Sequence, residues 1–271
     1  MSILSFIFRK KSAPLPGVTE SQFSCVRDGL TIRGTEFRPE GTDLPIAIVS
    51  HGFMATQESV KEYARVLSGK GYVTYCFDFN GGCLVKGKSD GKTTDMSVLT
   101  EAKDLEAVIS YAKSRPYTGR KLLLMGASQG GMVSALVAAK SEHQVDRLIL
   151  FYPAFCIPDD ARAGKMMMAK FDPSNIPERI NCGPMKLGRC YVSDVLHMDP
   201  FREIQGYSGP VLIVHGTNDK IVHIDYAKKA HAAYSSVCLA HPPVLKIIEG
   251  ASHGFSKEHN VSAISYIEEF A

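Results

Sequence analysis

The run Gly126-Ala127-Ser128-Gln129-Gly130-Gly131 carries the sharpest chemical signal in the chain. It follows the apolar stretch Lys121-Leu-Leu-Leu-Met125 and precedes the small-residue apolar stretch 129–140. A serine on a tight strand-to-helix turn is held in strained backbone angles, with its hydroxyl presented as a nucleophile. The residues two places either side must be small, and Gly126 and Gly130 occupy those places. The helix start at Gln129 aims backbone N–H groups at the point where negative charge would develop.

A serine nucleophile needs a base, and the base needs an orienting acid. On strand-to-helix turns of this kind the chain order is serine, acid, histidine. The apolar stretch 211–214 runs into His215-Gly216-Thr217-Asn218-Asp219, and 244–248 runs into Glu249-Gly250-Ala251-Ser252-His253. Ser128, Asp219 and His253 therefore come in the required order, each past the end of a predicted strand. A second donor for an oxyanion is expected on the loop after the strand 45–50, His51-Gly52-Phe53-Met54. The N–H of Phe53 is the candidate beside that of Gln129. His51 reads as a buttress of that loop, and His215 as a support of the acid turn. No HExxH or similar spacing suggests a metal, and no cofactor is called for.

Elements that place these residues are legible in the hydrophobic periodicity. Segments 21–28 and 31–38, split by Asp28-Gly29, predict a β-hairpin. Strands are predicted at 45–50, 72–77, 121–125, 148–151, 211–214 and 244–248. Helices are predicted at 58–69, 98–113, 129–140, 223–234 and 259–270. In the second of these, Leu99, Ala102, Leu105, Val108, Ile109 and Ala112 form the predicted inner face. Strand and helix alternate, which predicts an α/β fold with a mostly parallel sheet and helices on both faces. Residues 154–200 break the alternation with Pro158, Pro173, Pro177, Pro184 and Pro200, show no clear strand, and read as an inserted cap. The expected organisation is a tail over 1–20, a core over 21–153 and 201–271, and the cap over 154–200.

Bulk properties exclude other classes. At 271 residues, 45% hydrophobic and 22% charged, the chain is an ordinary globular protein. Its formal net charge of +3 is too weak for a nucleic-acid binder. Arg9, Lys10 and Lys11 of the tail match that excess, which leaves the catalytic body neutral. No apolar run reaches the ~20 residues of a membrane span. The seven cysteines (Cys25, Cys76, Cys83, Cys156, Cys182, Cys190, Cys238) are odd in number and never in a CxxC pair, which suits reduced thiols in a cytoplasmic protein. At the N-terminus the charges follow the short apolar stretch, the reverse of a secretory signal.

Taken together, His51-Gly-Phe53, Phe77-Asp-Phe-Asn80-Gly, Gly126-Ala-Ser-Gln-Gly130-Gly, His215-Gly-Thr-Asn-Asp219 and Gly250-Ala-Ser-His253-Gly-Phe255 resemble the α/β-hydrolase fold. The resemblance covers residues 20 to 270 and implies an eight-stranded sheet. It points to the serine-aminopeptidase and monoglyceride-lipase-like group, and within it to bacterial cinnamoyl (feruloyl) esterases. In those esterases an aspartate and a tyrosine of the cap hydrogen-bond the phenolic hydroxyl of the aromatic acid. Asp160 and Tyr191 take the matching positions. The chain departs from the family in the longer loop Asn80–Gly91 and in the run Met166-Met167-Met168, which makes the expected pocket wall more apolar.

The expected activity is therefore serine-dependent hydrolysis of a small-molecule carboxylic ester, of cinnamoyl or short-chain type. An aminopeptidase-like peptidase, with Asp159 or Asp160 anchoring a free amine, is the first competitor. A lipase or acyltransferase with a Met-lined acyl tunnel is the second, and a non-catalytic binding scaffold is the third. The serine itself excludes variants of the fold with an aspartate or cysteine nucleophile. The resemblance leaves a homodimer open, although no self-complementary patch is readable.

Overall fold

The computed structural model describes residues 15–84 and 89–271. The charged cluster Arg9–Lys11, most of the 1–20 tail and residues 85–88 of the long loop lie outside the described residues.

In chain order the first strands are β1 (Val18–Arg27), β2 (Leu30–Pro39) and β3 (Leu44–Ser50). Helix α1 (Lys61–Gly69), strand β4 (Val73–Asp78), helix α2 (Val98–Lys113), strand β5 (Thr118–Ala127), helix α3 (Gln129–Ala138) and strand β6 (Arg147–Phe151) follow. The segment after β6 then carries α4 (Ile157–Arg162), the strand pair β7 (Lys165–Met166) and β8 (Ala169–Lys170), the pair β9 (Arg179–Cys182) and β10 (Met185–Gly188), and α5 (Cys190–Ser193). The chain ends with α6 (Pro200–Glu203), β11 (Val211–Gly216), α7 (Ile224–Ser235), β12 (Val244–Ile248) and α8 (Lys257–Phe270).

Eight strands form one sheet in the order β1-β2-β4-β3-β5-β6-β11-β12. The hairpin β1–β2 and the pair β2–β4 are antiparallel, and every pairing from β4 to β12 is parallel. A parallel strand buried on both faces needs a continuous apolar run, as in Leu122-Leu-Leu-Met125 of β5, all buried. Helices α2, α3 and α7 cover one face through Leu105, Val108, Met132, Val133 and Ala230. Helices α1 and α8 cover the other through Tyr63, Leu67, Ala263 and Ile267.

The chain leaves β3 toward β4 on one side, and β5 takes the other side of β3. Strand order therefore reverses between β3 and β5, and open α/β sheets form their crevices at such a reversal. The register pairs Ser50 with Gly126, so the loops after β3 and β5 emerge side by side there.

Three expectations are corrected. The segment 154–200 does contain strands, namely the antiparallel pairs β7–β8 and β9–β10. They are too short, and too interrupted by proline and glycine, to leave a periodic signal. In α2, Leu99 is 38% exposed, while Val98, Glu101 and Asp104 turn inward. Of the methionine run, Met166 is buried, whereas Met167 and Met168 are exposed at the β7–β8 turn.

Candidate active site

Ser128 sits between β5 and α3 with φ 56° and ψ −121°, a left-handed backbone conformation that a side-chain-bearing residue adopts only under constraint. Its own peptide groups supply that constraint. Ser128 N donates to Phe151 O at 2.9 Å, and Ser128 O accepts from Gly131 N, Met132 N and Ala154 N. A Cβ on Gly126 would lie 2.1 Å from Gly130 O, and one on Gly130 would lie 2.3 Å from His51 O. The turn therefore closes only with glycine at both places.

Loops from three strand ends bring the remaining residues to Ser128. His253 Nε2 lies 3.0 Å from Ser128 Oγ, and His253 Nδ1 lies 2.7 Å from Asp219 Oδ2. Asp219 Oδ1 accepts from Ile221 N and Val222 N, each at 2.9 Å, which fixes the carboxylate plane. His215 donates from Nε2 to Val222 O at 2.9 Å and lies 3.3 Å from Asp219 Oδ2, so it supports the acid turn as its sequence context indicates. Burial by itself would raise the Asp219 pKa, but the hydrogen bonds from His215 and His253 hold it well below the usual carboxylate range. The carboxylate is therefore ionised and fixes Nδ1 of His253 as the protonated nitrogen. Nε2 is left to accept a proton from Ser128. The rings of Tyr152 and His253 pack edge to face with centroids 4.7 Å apart.

The loop after β3 abuts Ser128, for a Cβ on Gly52 would come within 2.9 Å of Ser128 Cβ. His51 is fully buried beneath it. Its Nε2 accepts from Phe79 N at 3.1 Å, and its Nδ1 donates to Gly52 O at 2.8 Å. Burial lowers its pKa. His51 Nε2, Asp78 and Cys83 lie close enough together to suggest a metal. Both His51 nitrogens are already committed, however, and the Cys83 thiol is held protonated by burial. A second cluster, Glu106, Glu142 and His143, is taken up by the ion pair from Lys140 to Glu106 at 2.5 Å.

Residues between β6 and β11 meet the same place. The Tyr191 ring contacts the Phe53 ring at 5.6 Å between centroids, and the Tyr191 hydroxyl donates to Gln129 Oε1. Gln129 Nε2 in turn donates to Glu101 Oε2 at 2.7 Å. Tyr191 is 2% exposed, Gln129 0% and Glu101 1%. Asp160 is half-buried on α4, and burial together with a nearby Asp159 raises its pKa against the lowering influence of the Cys156 thiol and Lys165. Asp159 is spent elsewhere, on Arg162 at 2.6 Å and on the Tyr226 hydroxyl at 2.8 Å.

The structure thus brings Ser128, His253 and Asp219 into one hydrogen-bonded chain, with Phe53, Gln129 and Tyr191 on its flank. Sequence reasoning missed Glu101. The signal was available as an acid three residues after Val98 and four before Leu105, on the inward face of α2.

The comparisons with known proteins agree with this architecture. The model of the family described as serine aminopeptidase, S33, matches residues 44–186. Monoglyceride lipase of Homo sapiens is 25% identical over 261 residues, 85% of this chain and 82% of that protein. Carboxymethylenebutenolidase of Pseudomonas putida is 27% identical over 136 residues, 46% of this chain and 57% of that protein. Among solved structures, Est1E from Butyrivibrio proteoclasticus with ferulic acid bound superposes with a TM-score of 0.83 at 28% identity, covering 92% of this chain and 97% of that one.

Proposed function

From a chain that belongs to the serine aminopeptidase S33 family and has the α/β-hydrolase fold, we propose a serine carboxylic-ester hydrolase that works through an acyl-enzyme. The observation that carries this reading is the unbroken chain Ser128 Oγ, His253 Nε2, His253 Nδ1, Asp219 Oδ2, with contacts of 3.0 and 2.7 Å.

Ser128 Oγ attacks the ester carbonyl carbon as its proton passes to His253 Nε2. The imidazolium so formed is stabilised by Asp219, which keeps its charge throughout. The carbonyl oxygen becomes an oxyanion held by the N–H groups of Phe53 and Gln129. Among the described residues neither N–H has another acceptor, and one such donor typically contributes roughly 3 kcal/mol. The tetrahedral intermediate collapses, and the alcohol leaves with the proton from His253. Water then repeats the two steps on the acyl-enzyme and releases the acid. No step in this sequence calls on a cofactor.

We read residues 154–200 as a cap over the acyl group. Tyr191 spends its proton on Gln129, which leaves its oxygen lone pairs to accept from a substrate hydroxyl. Asp160, half-buried with Lys165 nearby, is the complementary acceptor. A phenolic acyl group of the cinnamoyl type suits that pair, and the bound ferulic acid of the Est1E structure supports the choice. An aminopeptidase needs a free, ionised anchor for an ammonium group. Asp159 is already paired with Arg162, which weighs toward esters. All seven cysteines are free thiols, which supports a reducing compartment such as the cytoplasm. No helix among the described residues is long and apolar enough to cross a membrane.

The test is a panel of methyl ferulate, methyl caffeate, short p-nitrophenyl esters, a monoacylglycerol and aminoacyl p-nitroanilides, each run with wild type and Ser128→Ala. The reading predicts cleavage of the phenolic esters that is lost in Ser128→Ala. Preferential cleavage of the anilides would replace it with the peptidase.

A further inference from the structure

The helix α2 carries two buried acids one turn apart, and they are treated differently. Asp104 is fully partnered. It accepts from Arg27 Nε at 2.8 Å, from Asn80 N at 2.8 Å and from Asn80 Nδ2 at 3.0 Å. Glu101 has no cation near it among the described residues. Its hydrogen bond is the 2.7 Å contact from the Gln129 side-chain amide, and Gly82 backbone closes over its other oxygen, where a Cβ would come within 2.9 Å. A structural acid in a core is normally paired or replaced by an apolar residue. An unpaired one on the residue that follows the nucleophile calls for a different account.

Gln129 supplies that account. Its backbone N–H is the candidate oxyanion donor, and its side chain is gripped at both ends, by Glu101 at Nε2 and by the Tyr191 hydroxyl at Oε1. The Tyr191 ring also rests on Phe53, the other candidate donor residue. We propose that Glu101 is a positioning residue for the oxyanion hole. Its carboxyl group holds the Gln129 side chain against Tyr191, and so fixes both donor residues while tying their geometry to the seating of the insertion. This rests on the reading of Ser128 as the nucleophile. The placement of such a hole, to within about 0.5 Å, is set by just such supporting contacts.

The protonation state of Glu101 gives the role a signature. The titratable groups that face it are Asp104 on its own helix, the Cys83 thiol on the turn after β4 and the Tyr191 phenol on α5. The last two are kept neutral by burial. Burial pushes Glu101 itself up to about 8. Below that pH it is a neutral acid and places no charge behind the oxyanion. Above it a buried negative charge appears close to the developing one and opposes it.

The experiment measures kcat and KM for p-nitrophenyl acetate from pH 6 to 9.5 in wild type, Glu101→Gln, Glu101→Leu, Tyr191→Phe, the Glu101→Leu/Tyr191→Phe double variant and Ser128→Ala. The prediction for Glu101→Leu is a kcat about ten- to a hundredfold lower with KM nearly unchanged, because the lost contact acts in the transition state. The double variant should lose no more than the worse single one, since both contacts grip one side chain. Glu101→Gln keeps an acceptor for Gln129. It should restore most of the kcat at pH 7 and abolish the fall in kcat predicted for wild type above pH 8. A folded Glu101→Leu with wild-type kcat, or losses that multiply in the double variant, would overturn the proposal. Should Glu101→Leu fail to fold, the Glu101→Gln profile decides, and an alkaline fall identical to wild type overturns it. Retained turnover in Ser128→Ala would strike at the hydrolase reading itself, whereas abolished turnover there with an unaltered Glu101→Leu strikes only at Glu101.

Discussion

At the scale of single residues, chemistry here depends on which groups are allowed to carry charge. Asp219 is buried yet ionised because four hydrogen-bonding contacts, from Ile221, Val222, His215 and His253, converge on it. Glu101 is buried with a single amide donor and stays neutral until about pH 8. The difference sets a sign for stability. In the unfolded chain Glu101 titrates near its ordinary 4.5, and in the folded chain near 8. Its contribution is therefore fully present below pH 4.5, shrinks as the pH climbs toward 8 and is flat beyond. Thermal unfolding across this range should show wild-type Tm falling relative to that of Glu101→Gln, and parallel curves would contradict the burial argument. Ser128, Asp219 and His253 were legible in the sequence because each is flagged by a strand end and a glycine-bearing turn. Glu101 was not, since a lone acid on a helix is ordinarily read as solvent-facing. Tyr191 was singled out in the sequence only as an expected substrate contact, and its bond to Gln129 depends on a long-range packing that no local pattern encodes.

At the scale of elements, the site is a consequence of five parallel strands ending in register. Ser50 pairs with Gly126, Ala127 with Phe151, and Gly216 with Ile248. The loops that follow these strands carry Phe53, Ser128, Asp219 and His253 to one edge of the sheet. Their close approach leaves no room at the glycines. Gly130→Ala would drive a methyl group to 2.3 Å from His51 O and 2.6 Å from Ser50 O. Backbone must move to admit it, and over-packing of this kind destabilises by about 1–3 kcal/mol or more. The variant should have a lower Tm and a kcat reduced well beyond its loss of folded protein, both measurable on the soluble fraction. The alternating strands and helices were legible because parallel strands read as continuous apolar runs. The pairs β7–β8 and β9–β10 were not, because two to four residues cannot display a period.

For the whole molecule, the segment between β6 and β11, proposed as a cap, is tied down through the residues that lead into α2. Thr93 Oγ1 donates to Lys186 O at 2.5 Å, and the Cys190 thiol lies 3.4 Å from Thr94 O. Ser97 Oγ caps α2 by accepting from Thr100 N at 3.2 Å, and donates to Asp194 at 2.5 Å. The helix that holds Glu101 is thus fastened to the proposed cap at its first turn. Ser97→Ala removes a cap of about 1 kcal/mol together with the Asp194 tie, for a Tm lower by about 2–4 °C. Limited proteolysis should then cut faster within 154–200, and an unchanged cleavage rate would mean that the tie does not hold the insertion. The central claim, that Ser128 forms an acyl-enzyme, is tested most directly by acid-quenching the protein within milliseconds of mixing with p-nitrophenyl acetate and mapping the acetyl group by peptide mass spectrometry. The account predicts a burst of p-nitrophenol and one acetyl group on the peptide carrying Ser128, with the burst lost in His253→Ala. Turnover without that adduct, or an adduct on another residue with Ser128 unmodified, would contradict it.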